Sequence, residues 1–338
     1  MSEIKVNASK NYSVFIEKDF SFFKKEAEKI IKGQKILILT DSNVDSLYPN
    51  AFVGLFCGKQ VYKFVIQAGE ESKNATNFLE IINFLAKNSF TRKDTLVAFG
   101  GGVVGDLGGF VASTYMRGIC FINVATTLLS AVDSSVGGKT AIDLEYGKNL
   151  VGTFYQPDMV YINVDFLKTL PSKEQANGYG EIIKYVFLSD TLTLDDFSGE
   201  LSVLIEKCVK IKRDIVERDE KESGERKLLN LGHTVAHAIE KLSSFTIPHG
   251  LAVAKGLKKA LEISAKYYNL DDTTVEKALK IISCKNHDLT IPYADKEILT
   301  ALENDKKSTF NGVDFVLIDN TLRAKIVPLT FEELKELY

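Results

Sequence analysis

The sequence predicts an α/β protein, with an N-terminal α/β domain built on a parallel sheet and a mostly α-helical C-terminal domain. Short β-branched and apolar runs alternate with segments of helical period from the N-terminus to about residue 165, the pattern of successive strand–helix units. After TLPSKEQANGYGEIIKYVFL (169–188) strand-like runs become scarce and helical periods dominate. The length, 338 residues, also exceeds what one core usually supports, about 250–300 residues. The expected domains are residues 1–170 and 171–338.

In chain order, residues 4–18 alternate like a pair of strands, and 21–32 read as a short amphipathic helix. KILILTD (35–41) is a continuous apolar run ending in Asp41, as expected of a buried parallel strand whose C-terminal end meets a ligand. VYKFVI (61–66) is the next strand. In QAGEESKN (67–74) that follows it, Glu70 and Lys73 either hold a ribose or form a solvated helix start. Residues 75–88 keep a 3.6-residue period and lead to TLVAF (95–99), a buried strand. That strand empties into GGGVVGDLGG (100–109), read as a loop before a helical segment, Phe110–Tyr115. A glycine-rich loop at a helix N-terminus turns backbone N–H groups toward an anion. CFINVATT (120–127) is a further strand that delivers Thr126 and Thr127 at its end. Asp133, Lys139, Lys148 and Asn149 then alternate with Gly137, Gly138 and Gly147, a composition suited to a phosphorylated ligand. In the second half, helical periods cover 199–218, 226–243, 250–269, 273–285 and 295–304. Residues 313–318 and 322–329 read as a hairpin, and 330–338 as a closing helix.

Composition narrows the function. A net charge of −3 offers no basic field for nucleic acid. No apolar run approaches the roughly 18–20 residues of a membrane span, and the N-terminus lacks the apolar core of a signal peptide. Cys57, Cys120, Cys208 and Cys284 are scattered without a C-x-x-C pair, which predicts free, buried thiols in a reducing cytoplasm. Two motifs mislead. Gly100, Gly102 and Gly105 satisfy G-x-G-x-x-G, but about a hundred residues from the start rather than in a first βα turn. GGKT (137–140) resembles the end of a P-loop, but Asp133 stands where that motif needs glycine.

Three of the four histidines fall in NLGHTVAHAIEKLSSFTIPHG (230–250). His233 and His237 are i, i+4 on one helix face, and His249 follows just past Pro248. Two imidazoles and one carboxylate leave an open position on zinc, the pattern of a catalytic site. Glu181 in GEIIK is the candidate carboxylate, and Lys184 lies one turn along the same face. Lys139, Lys212, Arg226 and Lys306 complete a cationic set larger than one phosphate needs. His287 reads as a surface residue.

The motifs GGGVVGDLGGF, TTLL, VDSSVGGKT, GKNLVGTFYQP, TLP, GEIIKY, DEKESGERKLLNLGHTVAHAIE, PHG and DKK together resemble the 3-dehydroquinate synthase family of sugar-phosphate cyclases, from about Asp41 to Pro328. The resemblance implies a Rossmann-like N-terminal domain and a helical domain of the dehydroquinate synthase type. It implies zinc, or cobalt, on Glu181, His233 and His249. NAD would be lined by Asp41, Gly69, Glu70, Glu71, Ser72, Lys73, Gly102, Val103, Val104, Gly105, Asp106, Thr126, Thr127, Lys139, Lys148, Asn149, Phe166, Leu167, Lys168, Thr169 and Asn177. Arg117, Asp133, Lys139, Asn149, Lys212, Arg226, Asn230, His237 and Lys306 would hold a sugar phosphate. Lys139, Lys184, Lys212, Glu222, Arg226, Asn230 and His237 would carry catalysis, with Glu222 and His237 in proton transfer. A cytoplasmic homodimer is implied as well.

The implied reaction converts 3-deoxy-D-arabino-heptulosonate 7-phosphate to 3-dehydroquinate and phosphate. NAD oxidises the C5 hydroxyl to a ketone with the metal as Lewis acid, which acidifies the neighbouring C–H so that phosphate can leave. The hydride then returns, and an intramolecular aldol closes the ring, where a fixed geometry supplies most of the advantage. Ala125, Ala131, Ala141 and Asp143 stand where the family usually has Pro, Gln, Gly and Asn. Tyr179-Gly180 replaces a small or apolar pair, and 189–200 is abbreviated. The alternatives are another sugar-phosphate cyclase, a metal- and NAD-dependent polyol dehydrogenase, and a non-catalytic sugar-phosphate sensor.

Overall fold

The computed structural model describes residues 2–303 and 312–338. It divides into two compact units: the chain up to Pro171 together with Lys212–Glu220, and Ser172–Ile211 together with Lys221–Tyr338.

The first unit is built on a seven-stranded sheet. Its strands are β1 (Ser2–Val6), β2 (Tyr12–Glu17), β3 (Lys35–Asp41), β4 (Gln60–Ile66), β5 (Thr95–Gly100), β6 (Cys120–Ala125) and β9 (Met159–Asn163), in the order β1-β2-β9-β6-β5-β3-β4. Only β1 and β2 pair antiparallel; the other neighbours are parallel. The continuous apolar run of β3 follows from burial on both faces. Leu37 and Leu39 enter one core with Leu96, Leu107 and Phe121. Ile36 and Ile38 enter the other with Phe23, Phe99 and Tyr161, as the two-residue period of a strand requires. Helices α1 (Phe23–Ile30), α2 (Ser42–Leu47), α3 (Ala75–Lys87) and α4 (Gly102–Thr114) connect these strands.

Three features depart from expectation, the first two in this unit. The glycine run after β5 is mostly helix, since α4 starts at Gly102 rather than Phe110. Its glycines let the helix lie close to its neighbours: a Cβ on Gly109 would meet Thr140 Cγ2 at 2.4 Å. Residues beyond Thr127 form a π-helical turn, Ser130–Ser134, and then an antiparallel hairpin of β7 (Lys139–Leu144) and β8 (Gly147–Phe154). No strand was anticipated there, because β8 exposes residues on both faces and shows no period. Cys57 is exposed and only Cys208 is buried, Cys120 and Cys284 being intermediate.

The second unit is mainly helical: α5 (Ser172–Val186), α6 (Leu201–Arg218, whose end belongs to the first unit), α7 (His233–Leu242), α8 (His249–Tyr268), α9 (Asp272–Ile282), α10 (Asp295–Glu303) and α11 (Phe331–Leu337). The hairpin β10 (Gly312–Ile318) and β11 (Ala324–Thr330) completes it. The single helical period read over 226–243 is two elements. A 3-10 turn, Glu225–Asn230, precedes α7, and Gly232, with φ of 79°, separates them. His287 is half-buried rather than a surface residue, with Nε2 2.9 Å from the Ala176 carbonyl. Among the described residues no helix is long and apolar enough to cross a membrane.

Candidate metal and substrate site

In the second unit, α5 carries Glu181 and Lys184 one turn apart, while His233 and His249 are the first residues of α7 and α8. Two backbone features draw α5 onto the start of α8. A Cβ on Gly180 would lie 2.0 Å from the Gly250 carbonyl oxygen, so only glycine permits that approach. The Gly250 N–H donates to Asn177 Oδ1 at 2.6 Å. Glu181 Oε1 thereby comes to 3.2 Å from Nε2 of both His233 and His249.

These three residues offer ligand atoms all within 4.8 Å of one another. A tetrahedral ion with bonds of about 2.1 Å spaces its ligands by roughly 3.4 Å, close to the observed 3.2 Å. Glu181 Oε1 is buried, yet takes no hydrogen bond of normal geometry from any described residue. A buried polar atom left in that state is costly, so the donor set fits a divalent cation. Lys184, fully buried, pairs with the other oxygen, Oε2.

Electrostatics follow from this packing. Burial resists the charge on Glu181, but Lys184 and His233 hold its carboxyl well below the usual range. Burial holds the His233 imidazole down, toward its neutral form. It also resists charge on His249, where the neighbouring carboxylates of Glu181 and Glu240 win and push the ring up to about 10. Cation binding must therefore displace a proton. His237 stands beside the group, its ring centroid 5.7 Å from that of His233 and 6.4 Å from that of His249.

Upstream, Arg226 is buried to 1% exposure, and Asn230 Nδ2 donates to Glu222 Oε1 at 2.7 Å. Glu222 has a left-handed backbone, with φ of 60°, a conformation that for such a residue marks local strain. Asn177 faces α8 through Gly250 and also donates to Glu174 at 3.2 Å. Lys306 lies outside the described residues.

In the first unit, Lys73 is 4% exposed and sits among Glu70 at 2.8 Å, Asp106 at 3.4 Å and Asp143 at 3.7 Å. Lys148 approaches Glu70 at 3.6 Å. The solvated-helix reading of Glu70 and Lys73 is thus overturned: these charges are gathered from four separate segments. Burial raises Asp106 to about 6, with Glu70 and Asp143 adding to the effect and Lys73 opposing it. The carboxylates around Lys73 overcome burial and hold its ammonium above the usual range.

The remaining predicted residues of this unit take varied positions. Asp41 caps α2, accepting from the Asn43 and Val44 N–H groups. Gly69, with φ of 127°, leads into the turn Glu70–Ser72 that includes Glu71. Gly102, Val103, Val104, Gly105 and Asp106 form the first turns of α4. Thr126 Oγ1 at the end of β6 is buried without a hydrogen bond to any described residue, whereas Thr127 Oγ1 is tied to Ser130 at 2.9 Å. The Phe166 ring packs on Tyr48 with centroids 4.7 Å apart, and Leu167 is also buried, so these two offer a ligand backbone only. Lys168 pairs with Asp165, and Thr169 Oγ1 meets the Tyr48 hydroxyl at 2.7 Å. Lys139 opens β7. Asn149, with φ of 56°, donates its N–H to Asp143 at 2.8 Å. Lys212 donates to the Asp133 carbonyl at 2.6 Å and pairs with its carboxylate at 3.1 Å. Arg117 is exposed at a left-handed position, φ 63°.

Two residues escaped the sequence reading: Glu240, buried against His249, and Asp143 as a partner of Lys73. Glu240 had one available signal, its place seven residues after His233 on the same face of α7.

The fold, a parallel-sheet α/β unit and a mainly helical unit, is shared with a solved enzyme structure. It superposes on 2-deoxy-scyllo-inosose synthase complexed with carbaglucose-6-phosphate, NAD+ and Co2+ at a TM-score of 0.89, with 23% identity and 99% of each chain covered. The family models for the 3-dehydroquinate synthase N-terminal and C-terminal parts match residues 63–177 and 178–308. The 3-dehydroquinate synthase of Clostridium acetobutylicum is 40% identical over 91% of this chain and 90% of its own. That of Alkaliphilus metalliredigens is 38% identical over 99% and 97%. The chain belongs to the 3-dehydroquinate synthase family.

Proposed function

We propose that the protein converts 3-deoxy-D-arabino-heptulosonate 7-phosphate to 3-dehydroquinate and phosphate, as a cytoplasmic homodimer using NAD and a zinc or cobalt ion. The observation that carries this reading is Glu181 Oε1 set 3.2 Å from two imidazole nitrogens, with the buried cations Lys184 and Arg226 in the same unit.

Glu181, His233 and His249 would hold the metal, and the turns at Gly69–Lys73 and the start of α4, with Thr126, would hold the dinucleotide. When bound, the metal supplies Lewis acidity at the substrate hydroxyl and the dinucleotide a reversible hydride acceptor. Lys184, anchored through Glu181 Oε2, presents a fixed ammonium that hydrogen-bonds substrate oxygens beside the metal. Arg226 grips phosphate by a bidentate fork. Asn230 steadies the Glu222 carboxylate, which takes and returns a proton together with His237. Lys139, Asn149, Arg117 and the Asp133–Lys212 pair orient the phosphate, hydroxyls and carboxylate. Their part is to keep the open-chain ketone in the geometry from which the ring closes.

The test is incubation of purified protein with the heptulosonate phosphate, NAD and zinc. Phosphate release without NADH accumulation is the expected result. NADH accumulation with simple polyols would mark a dehydrogenase instead, and phosphate release from a hexose phosphate but not from the heptulosonate would mark another cyclase.

A further inference from the structure

Glu240 has no assigned role, yet it is 4% exposed and its Oε2 lies 3.4 Å from His249 Nδ1. It shares a face of α7 with His233 and His237, at i+7 and i+3. An ionised carboxylate only accepts hydrogen bonds. Facing Glu240, Nδ1 of His249 keeps its proton, and Nε2, 3.2 Å from Glu181 Oε1, is the nitrogen left to exchange its proton for a cation. His233 reaches the same state differently, with Nδ1 3.2 Å from the Leu231 carbonyl oxygen. One imidazole is thus oriented by a neutral backbone dipole and the other by a buried charge.

We propose that Glu240 is a positioning residue of the metal centre, fixing the tautomer and ring plane of His249 and raising its donor strength. This rests on the metal-site reading above. Carboxylate partners of ligating histidines do this elsewhere, and their loss costs about 10–100-fold in metal affinity. Glu240→Gln keeps an acceptor oxygen but removes the charge, so it should bind Co2+ about tenfold more weakly. Glu240→Ala removes both and should bind about 100-fold more weakly.

The experiment measures Co2+ affinity by chelator competition, the ligand-field spectrum of the Co2+-loaded protein, and urea unfolding of the metal-free protein. Wild type, Glu240→Gln, Glu240→Ala and His233→Ala are compared. The graded loss, with a spectrum altered in the Gln variant and metal-free stability near wild type, supports the role. Wild-type affinity and spectrum in a folded Glu240→Gln protein overturn it. So does an equal loss in both variants that follows lowered metal-free stability, since that is a packing effect. Should Glu240→Ala not fold, the Gln variant alone decides. If wild type and His233→Ala bind Co2+ alike, it is the metal-site reading that fails.

Discussion

Each unit buries a cluster of charges, and the two clusters are built on opposite plans. Around Lys73, the three carboxylates Glu70, Asp106 and Asp143 surround an ammonium supplied by the chain itself. Around Glu181, one carboxylate oxygen is satisfied by Lys184 while the other faces two imidazole nitrogens. The first cluster contains its own counter-charge. The second gathers three ligand atoms around one point, an arrangement suited to a cation. Counting acidic residues alone would point to the first cluster for a metal. The nature of the atoms facing each carboxylate separates them.

The contrast can be broken most sharply at His233. His233→Ala should abolish metal uptake and lower turnover about a thousandfold or more, since the several kcal/mol a Lewis acid supplies amount to a tenfold loss per 1.36 kcal/mol. Metal stoichiometry and phosphate release check this, and a variant retaining wild-type stoichiometry would refute the ligand assignment. Metal should leave the Lys73 cluster untouched, so Lys73→Met should instead act on stability. Stranding its carboxylates should cost about 3 kcal/mol, the lower end for a broken buried ion pair, because the carboxylates are partly open to water. Urea unfolding measures it; a loss within error would show the ring to be screened by solvent.

The titration of Asp106 sharpens the same contrast. Its carboxyl titrates near 6 in the folded protein against an ordinary value of 3.8, so the folded state binds the proton more tightly. That contribution is complete below about pH 4 and is lost as pH rises toward 6. The stability of wild type relative to Asp106→Asn should therefore fall by about 2 kcal/mol across that window and stay level above it. A flat difference in urea unfolding between pH 4 and 7 would exclude the shift. The smallest effect belongs to Asp143→Asn. The amide oxygen can still accept the Asn149 N–H, and Lys73 is 3.7 Å away. Stability should change by less than about 1 kcal/mol, read by the same method.

What could be read in advance follows physical lines. The inner strands of the seven-stranded sheet were legible because burial on both faces leaves continuous apolar runs, as in KILILTD. The hairpin of β7 and β8 was not, since its exposed outer strand erases the period. Helix α4 was mistaken for a loop because its glycines signal flexibility locally, whereas they serve close packing against Thr140. Within the site, the histidines stood out by type and spacing, and Glu181 in GEIIK as the carboxylate one turn before Lys184. Glu240 stayed hidden because a glutamate in an amphipathic helix ordinarily faces water. The Lys73 ring stayed hidden because its acids come from segments far apart in sequence, and only the folded backbone brings them together.

The return of Lys212–Glu220 to the first unit bears on how this gene can be dissected. Glu217 accepts the Asn7 N–H at 2.6 Å, Glu220 accepts the Ser9 N–H at 2.8 Å, and Lys212 holds Asp133. A fragment stopped at Pro171 would lack every one of these ties. Splitting the gene there would yield two incomplete pieces, with the missing part of the N-terminal half encoded inside the other. Complementation by two co-expressed halves therefore demands that the end of α6 be supplied in trans to its partners near the N-terminus.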